Sequence, residues 1–163
     1  MKRLVLALAL ALPACGLHPL YQGGGSGPVA RGLASVAVAP IEGKSGYLVS
    51  NALRDRLPDS AGAAARYRLQ VRLDDNIIGL GITRDNRVTR ERRTLRARFQ
   101  LVDAQTGETV LDATAGSDTG IDVVDSEYAT ISAENAALER LSDIVADQIV
   151  TRVALFMRRN PAQ

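Results

Sequence analysis

From Arg66 to Leu73 the chain alternates strictly: Tyr67, Leu69, Val71 and Leu73 are apolar, and Arg66, Arg68, Gln70 and Arg72 between them are not. A period of two marks a strand with one face buried and the other in water. The pattern returns at Leu95, Ala97, Phe99 and Leu101, with Arg96, Arg98 and Gln100 interleaved, and again at Leu111, Ala113 and Ala115. Strands that are apolar on one face need a second layer to cover that face.

Helical periods on either side supply it. Ser45 is placed to cap a helix in which Val49, Leu53 and Leu57 recur every four residues before Pro58 stops it. From Asp125 or Ser126 a long helix is predicted, with Leu138, Leu141, Val145, Ile149, Val153 and Phe156 three or four apart along one stripe. Its acids, Glu134, Glu139, Asp143 and Asp147, precede its bases, Arg152, Arg158 and Arg159, as the helix dipole favours. Ser35 to Ala39, ended by Pro40, has the composition of a first strand. The order βαβββα predicts an α+β fold of two layers, a four-stranded sheet with two helices packed on one face. Residues 33–163 are assigned to this single domain.

Asp103 to Gly107 reads as a hairpin loop, and pairing residues whose numbers sum to 210 sets Phe99 beside Leu111, Ala97 beside Ala113 and Arg98 beside Asp112. A slip of one residue would turn every apolar side chain outward. In the preceding strand the apolar phase changes, from odd positions up to Leu73 to even ones at Ile78, Leu80 and Ile82. A bulge at Asp74-Asp75-Asn76 would reverse the facing. With a turn at Asp85-Asn86, the hairpin from about Ile77 to Arg93 is then expected to project past the sheet.

The N-terminus has another character. Met1-Lys2-Arg3 is followed by an apolar run from Leu4 to Leu12 and by Ala14-Cys15, the layout of an export signal over residues 1–14. The run is far shorter than the roughly 20 residues of a membrane span. Cys15 is the sole cysteine of the chain and sits where cleavage would occur. Leu12, Ala14 and Cys15 resemble a bacterial lipobox, in which the cysteine carries the lipid anchor; the plain alternative is an ordinary signal with an incidental thiol. Gly16, where an aspartate would suggest retention in the inner membrane, implies by the same resemblance passage to the outer membrane. Residues 15–32 are assigned to the lipidated end and a Gly-rich tether, whose reach over ten residues is roughly 17 Å.

Losing Lys2 and Arg3 takes the 20 basic residues to 18, level with the 18 acidic ones, so no general affinity for nucleic acid follows. Catalysis has little to stand on. His18, the only histidine, lies three residues from Cys15 and ahead of a flexible segment, and no second histidine or free thiol completes a metal or nucleophile site. Neither a catalytic group, a metal nor a cofactor is assigned.

The stretches "CGLHPLY", "VAVAPIEGKSGYLVSNALRDRL" and "YATISAENAALERLSDIVADQIVTRVALFMRR" resemble the LptE-type lipopolysaccharide-assembly lipoproteins in their alphaproteobacterial form. The resemblance implies two helices against a four-stranded sheet. It also implies a lipid-anchored place in the outer membrane, on the periplasmic side and within the lumen of an LptD-type β-barrel. The protein would plug that barrel, help assemble it and assist lipopolysaccharide transfer to the outer leaflet. Alternatives are an accessory lipoprotein of another envelope lipid transporter or secretion channel, and a tethered periplasmic hydrolase.

One charge asymmetry adds a site. Arg66 to Arg98 holds ten arginines and four acids, whereas Asp103 to Asp147 holds eleven acids and one arginine. Arg84, Arg87, Arg90, Arg92 and Arg93 lie on or beside the hairpin, and guanidinium suits phosphate oxygens. These five are the candidate lipopolysaccharide contacts. A solvated strand face, or arginines that meet acids of the barrel, would account for the same pattern.

Overall fold

A computed structural model of the chain describes residues 27–58, 65–82 and 88–160. In chain order the elements are helix α1 (Pro28–Ala34), strand β1 (Val36–Val38), helix α2 (Gly43–Arg56), strands β2 (Tyr67–Ile82), β3 (Val88–Asp103) and β4 (Thr109–Asp122), and helix α3 (Glu127–Arg159). The strands form one sheet in the order β1-β2-β3-β4, with β1 parallel to β2 and the other neighbours antiparallel. This is the expected α+β arrangement with a four-stranded sheet, and a third, short helix is added to it.

Matched lengths hold the two layers together. Sixteen residues of β2 or β3 extend over roughly 53 Å, and the 33 residues of α3 over roughly 50 Å. The odd-numbered side chains Leu69, Leu95, Ala97, Phe99 and Leu101 are buried in one cluster with Leu138, Leu141, Val145, Ile149 and Val153 of α3. Each fully buried aliphatic of that seam contributes about 1.5–3 kcal/mol. Phe156, last of the predicted stripe, is partly buried and meets Tyr67 edge-on, with ring centroids 6.4 Å apart. The start of α3 agrees with the predicted Asp125 or Ser126 to within two residues: the helix begins at Glu127, and Ser126 caps it, its hydroxyl accepting the Ala129 N–H at 3.4 Å.

Helix α2 runs parallel to α3. Lys44 donates to Asn135, and Arg56 bridges Asp143 and Asp147, so the same spacing along both chains is kept at each end of the contact. The helix begins at Gly43, with Glu42 as its cap, and not at the predicted Ser45. Glycine explains the earlier start. Gly43 adopts φ +81°, and at Gly46 the incoming chain passes so close that a Cβ would stand 2.6 Å from the Ile41 carbonyl oxygen.

Helix α1 takes in residues 28–32 of the segment read as tether. Pro28 starts it, as proline does at a first turn. Val29, Ala30 and Leu33 are buried, and Gly32 lies against Met157 near the end of α3. Seven residues are too few to display a period on their own, and the burial depends on α3. Cys15, His18 and the rest of that segment up to Ser26 lie outside the described residues, as do Arg84, Arg87 and the turn at Asp85-Asn86.

Two register expectations are corrected. Phe99 pairs with Ala113, Ala97 with Ala115 and Arg98 with Thr114, so the β3-β4 numbers sum to 212 and not 210. The loop closes through the Asp103 N–H on the Glu108 carbonyl, and an irregularity between Leu101 and Val102 then adds a residue on β4. A shift of two preserves both faces, so the apolar pattern could not detect it. The bulge expected at Asp74-Asp75-Asn76 is also absent: β2 and β3 pair in one register from Tyr67 opposite Asp103 to Leu80 opposite Arg90. Instead the chemistry of the inner face changes. Asp75 lies on the helix side and binds Arg93 in a two-pronged pair, Nε to Oδ1 at 2.8 Å and a terminal nitrogen to Oδ2 at 2.7 Å. The other terminal nitrogen donates to the Glu134 carbonyl of α3 at 2.9 Å. The side chains are only 11% and 21% exposed. Nor does the hairpin project alone, since β4 accompanies it as far as Asp122 opposite Arg90.

Removing the carboxylate charge beneath α3 strands a mostly buried guanidinium. Asp75→Asn should therefore lower stability by about 1–3 kcal/mol, whereas Asp74→Asn, exposed on the opposite face, should change it by less than about 0.5 kcal/mol. Urea unfolding of the two variants measures the difference, and equal midpoints would contradict the assignment of Asp75 to the inner face.

Candidate anion-binding face

The even-numbered residues of β2, β3 and β4 point away from the helices. They place Arg68, Arg72, Arg90, Arg92, Arg96 and Arg98 on one open face, with Asp74, Asp112, Asp118 and Asp122. Strand alternation alone collects them, because each occupies the solvent phase of a strand whose other phase is core.

Acids of β4 take up part of this charge. Arg90 Nε lies 3.1 Å from Asp122, directly opposite, and Arg92 Nε 3.6 Å from Asp118, on the diagonal. Arg98 reaches diagonally to Asp112 with two bonds, at 3.2 and 2.8 Å, so the predicted pair forms despite the shifted register. Gln100 adds a third donor to the same carboxylate at 2.8 Å. The Arg98 guanidinium, then the Gln100 amide, hold the Asp112 carboxyl down at about 2. In the hairpin loop the Asp103 carboxyl is also lowered, chiefly by the Gln105 N–H and further by that of Thr106 and by Arg66.

Arg68, Arg72 and Arg96 make no ion pair among the described residues. Arg72 stands directly opposite Arg98, and like charges in that relation repel. Arg72, Asp74, Arg96, Arg98 and Thr114 border a shallow groove of about 570 Å³. Gly116 keeps it open, since a Cβ there would come within 3.2 Å of the Leu95 carbonyl oxygen and 3.3 Å of Arg96 Cγ. The glycine is fixed from the edge: its N–H donates to Gln148 Oε1 at 3.0 Å, and Gln148 Nε2 donates to its carbonyl at 3.2 Å.

Of the five arginines predicted on the hairpin, three are described, and they differ. Arg90 and Arg92 are exposed on the open face. Arg93 lies on the inner face, where Asp75 first, and nearby Glu134, raise its pKa above the ordinary value against the effect of burial. Arg72 and Arg96 were missed. Their signal was present in "YRLQVRL" and "LRARFQL", but recognising them as neighbours needed the β2-β3 register. Among the described residues no group of three or more His, Cys, Asp or Glu could hold a metal ion, and no helix is long and apolar enough to cross a membrane.

The Asp112 carboxyl gives the electrostatics a direct check. Its folded pKa is depressed, so the pair's contribution is fully present above the unfolded value of about 3.9 and is lost as pH falls towards 2. NMR titration of the carboxyl should give a midpoint near 2, and Arg98→Gln should move it up towards about 3.9. A midpoint unmoved by Arg98→Gln would contradict the pairing.

No curated protein matches the sequence. Solved structures do. A lipoprotein from Caulobacter crescentus is 26% identical, with a TM-score of 0.69 over 84% of this chain and 100% of its own. Rare lipoprotein B from Shewanella oneidensis shares the fold at 13% identity, with a TM-score of 0.58 over 78% of this chain and 98% of its own. A minor lipoprotein from Acinetobacter baumannii does so at 17% identity and a TM-score of 0.57, over 74% and 91%. The family model LptE, lipopolysaccharide-assembly, matches residues 33–153, from the end of α1 through the buried stripe of α3. The chain belongs to the LptE lipopolysaccharide-assembly family.

Proposed function

We propose that the protein is a non-enzymatic outer-membrane lipoprotein, anchored through Cys15, that sits in the lumen of an LptD-type β-barrel. There it steadies the barrel during assembly and assists passage of lipopolysaccharide to the outer leaflet. The family match over residues 33–153 carries this proposal. A solid two-layer body with a cluster of arginines on its open sheet face suits a part that works by shape and surface charge. Exposed apolar side chains support a protein partner: Val124, Tyr128 and Ile131 stand where β4 passes into α3, and Tyr128 is 81% exposed.

Arg84, Arg87, Arg90 and Arg92 are proposed to meet the anionic head of lipopolysaccharide, with Arg93 holding the hairpin to α3 rather than reaching the ligand. The ion pairs of Arg90 and Arg92 oppose this little. An exposed pair is worth about 0–1 kcal/mol, and a guanidinium can exchange one carboxylate for a phosphate with two well-placed oxygens. Unpaired Arg72 and Arg96 extend the same positive surface along the groove.

Pull-down of the lipidated protein from detergent-solubilised outer membrane should recover a large heat-modifiable barrel. Recovery of transporter subunits instead would favour an accessory of another envelope lipid pathway. Cys15→Ala should leave a folded domain that no longer sediments with membranes, and an unmodified Cys15 thiol in native protein would refute the anchor. Replacing Arg87, Arg90 and Arg92 together with serine should weaken lipopolysaccharide binding in a salt-sensitive way while the barrel is still recovered. Unchanged binding at low salt would remove the hairpin from the site.

A further inference from the structure

The two edges of the sheet are treated differently. On β4, Gln148 occupies the outward N–H and carbonyl of Gly116, and Asp112, Asp118 and Asp122 punctuate the strand with charge. Such features defend an edge against pairing with other chains. On the far side, β1 covers β2 only from Tyr67 to Leu69. The Tyr67 N–H donates to Ser35 and the Leu69 carbonyl accepts from Ala39, so the odd residues of β2 direct their backbone groups to that edge. Pro40, Ile41 and Ser45 lie near Val71 to Leu73. Beyond them, the edge-facing backbone groups of Asp75, Ile77 and Gly79 have no partner among the described residues. This stretch continues as Asn76-Ile-Ile-Gly-Leu-Gly-Ile82, without a charge or a proline. Ile78 on it is 44% exposed.

We propose that this edge is a self-association surface, on which a second copy of the chain pairs antiparallel about a two-fold axis at Ile78. That register sets Ile77 opposite the partner's Gly79, positions whose backbone groups face the edge, and the pairing stops short of Gly81, whose φ of +73° and bond from the Thr89 hydroxyl turn it towards β3. Each exposed Ile78 then covers its own counterpart in a non-hydrogen-bonded pair, where Cα atoms approach to roughly 4.5 Å. Among the described residues of the paired stretch no like charges are opposed, whereas an axis at Asp75 would oppose two carboxylates. The two four-stranded sheets become one continuous sheet with all helices on one side, and the two arginine faces join on the other. A single strand pair is a small interface, so the association is weak and concentration-dependent. It does not rest on the proposed role in the barrel.

Light scattering on the full chain in detergent, corrected for the micelle, should show a protein mass rising from the monomer towards twice that value with concentration. Ile78→Lys opposes two ammonium groups across the axis and should stay monomeric with an unchanged circular dichroism spectrum. With Cys15→Ser removing the native thiol, Ile78→Cys should oxidise to a covalent dimer. Asn76→Cys, on the same face but four residues from its counterpart, should not. A monomer at every concentration would overturn the proposal, even if a strand of another protein were found on this edge in membranes. Dimers that Ile78→Lys leaves intact, or equal cross-linking at both cysteine positions, would overturn it as well.

Discussion

The seam between α3 and the odd-numbered face of β3 is the contact on which the rest of the structure depends. Leu95, Ala97, Phe99 and Leu101 meet Leu138, Leu141, Val145, Ile149 and Val153 there, and none of them is more than 1% exposed. Once that face is buried, the two-residue period of the strand sends Arg90, Arg92, Arg96 and Arg98 to the other side without any further instruction. The charged surface is therefore a geometric consequence of the core. Where the core thins, at Asp75 and Arg93, an ion pair with a third bond to the α3 backbone takes over the inner face and lets both layers continue together.

That substitution of one kind of inner contact for another also explains what sequence alone conveyed. The stripe of α3, its start near Ser126 and the facing of β3, β4 and the first half of β2 were legible, because helical and strand periods report burial directly. The β3-β4 register was not. A change of two residues leaves every side chain on the same face, and the deciding irregularity lies by the loop, where apolar pattern says nothing. The phase change between Leu73 and Ile78 was visible but ambiguous. A bulge and a buried polar pair leave the same trace, and only the position of Arg93 separates them. Helix α1 left almost no trace, since the burial of Val29 and Leu33 comes from a helix more than a hundred positions away.

The candidate site was half legible for the same reason. A surplus of arginine over Arg66 to Arg98 can be counted, but which guanidiniums are free is a matter of pairing. Arg90, Arg92 and Arg98 find aspartates of β4, Arg93 is turned inward, and Arg68, Arg72 and Arg96 make no ion pair among the described residues. On β4 the acids lie towards one edge of the face, so β2 and the middle of β3 carry the uncompensated charge. In the proposed role, a lipopolysaccharide head would meet this face after the hairpin, with Gly116 leaving room for it in the groove.

The central claim is that the open-face arginines serve a ligand and not the fold. Measuring urea stability and lipopolysaccharide binding together on Arg72→Ser/Arg96→Ser tests it most directly. With one repulsive contact relieved and no ion pair lost, the account predicts stability unchanged or slightly raised, and binding weakened most at low salt. Reduced stability with undiminished binding would contradict it.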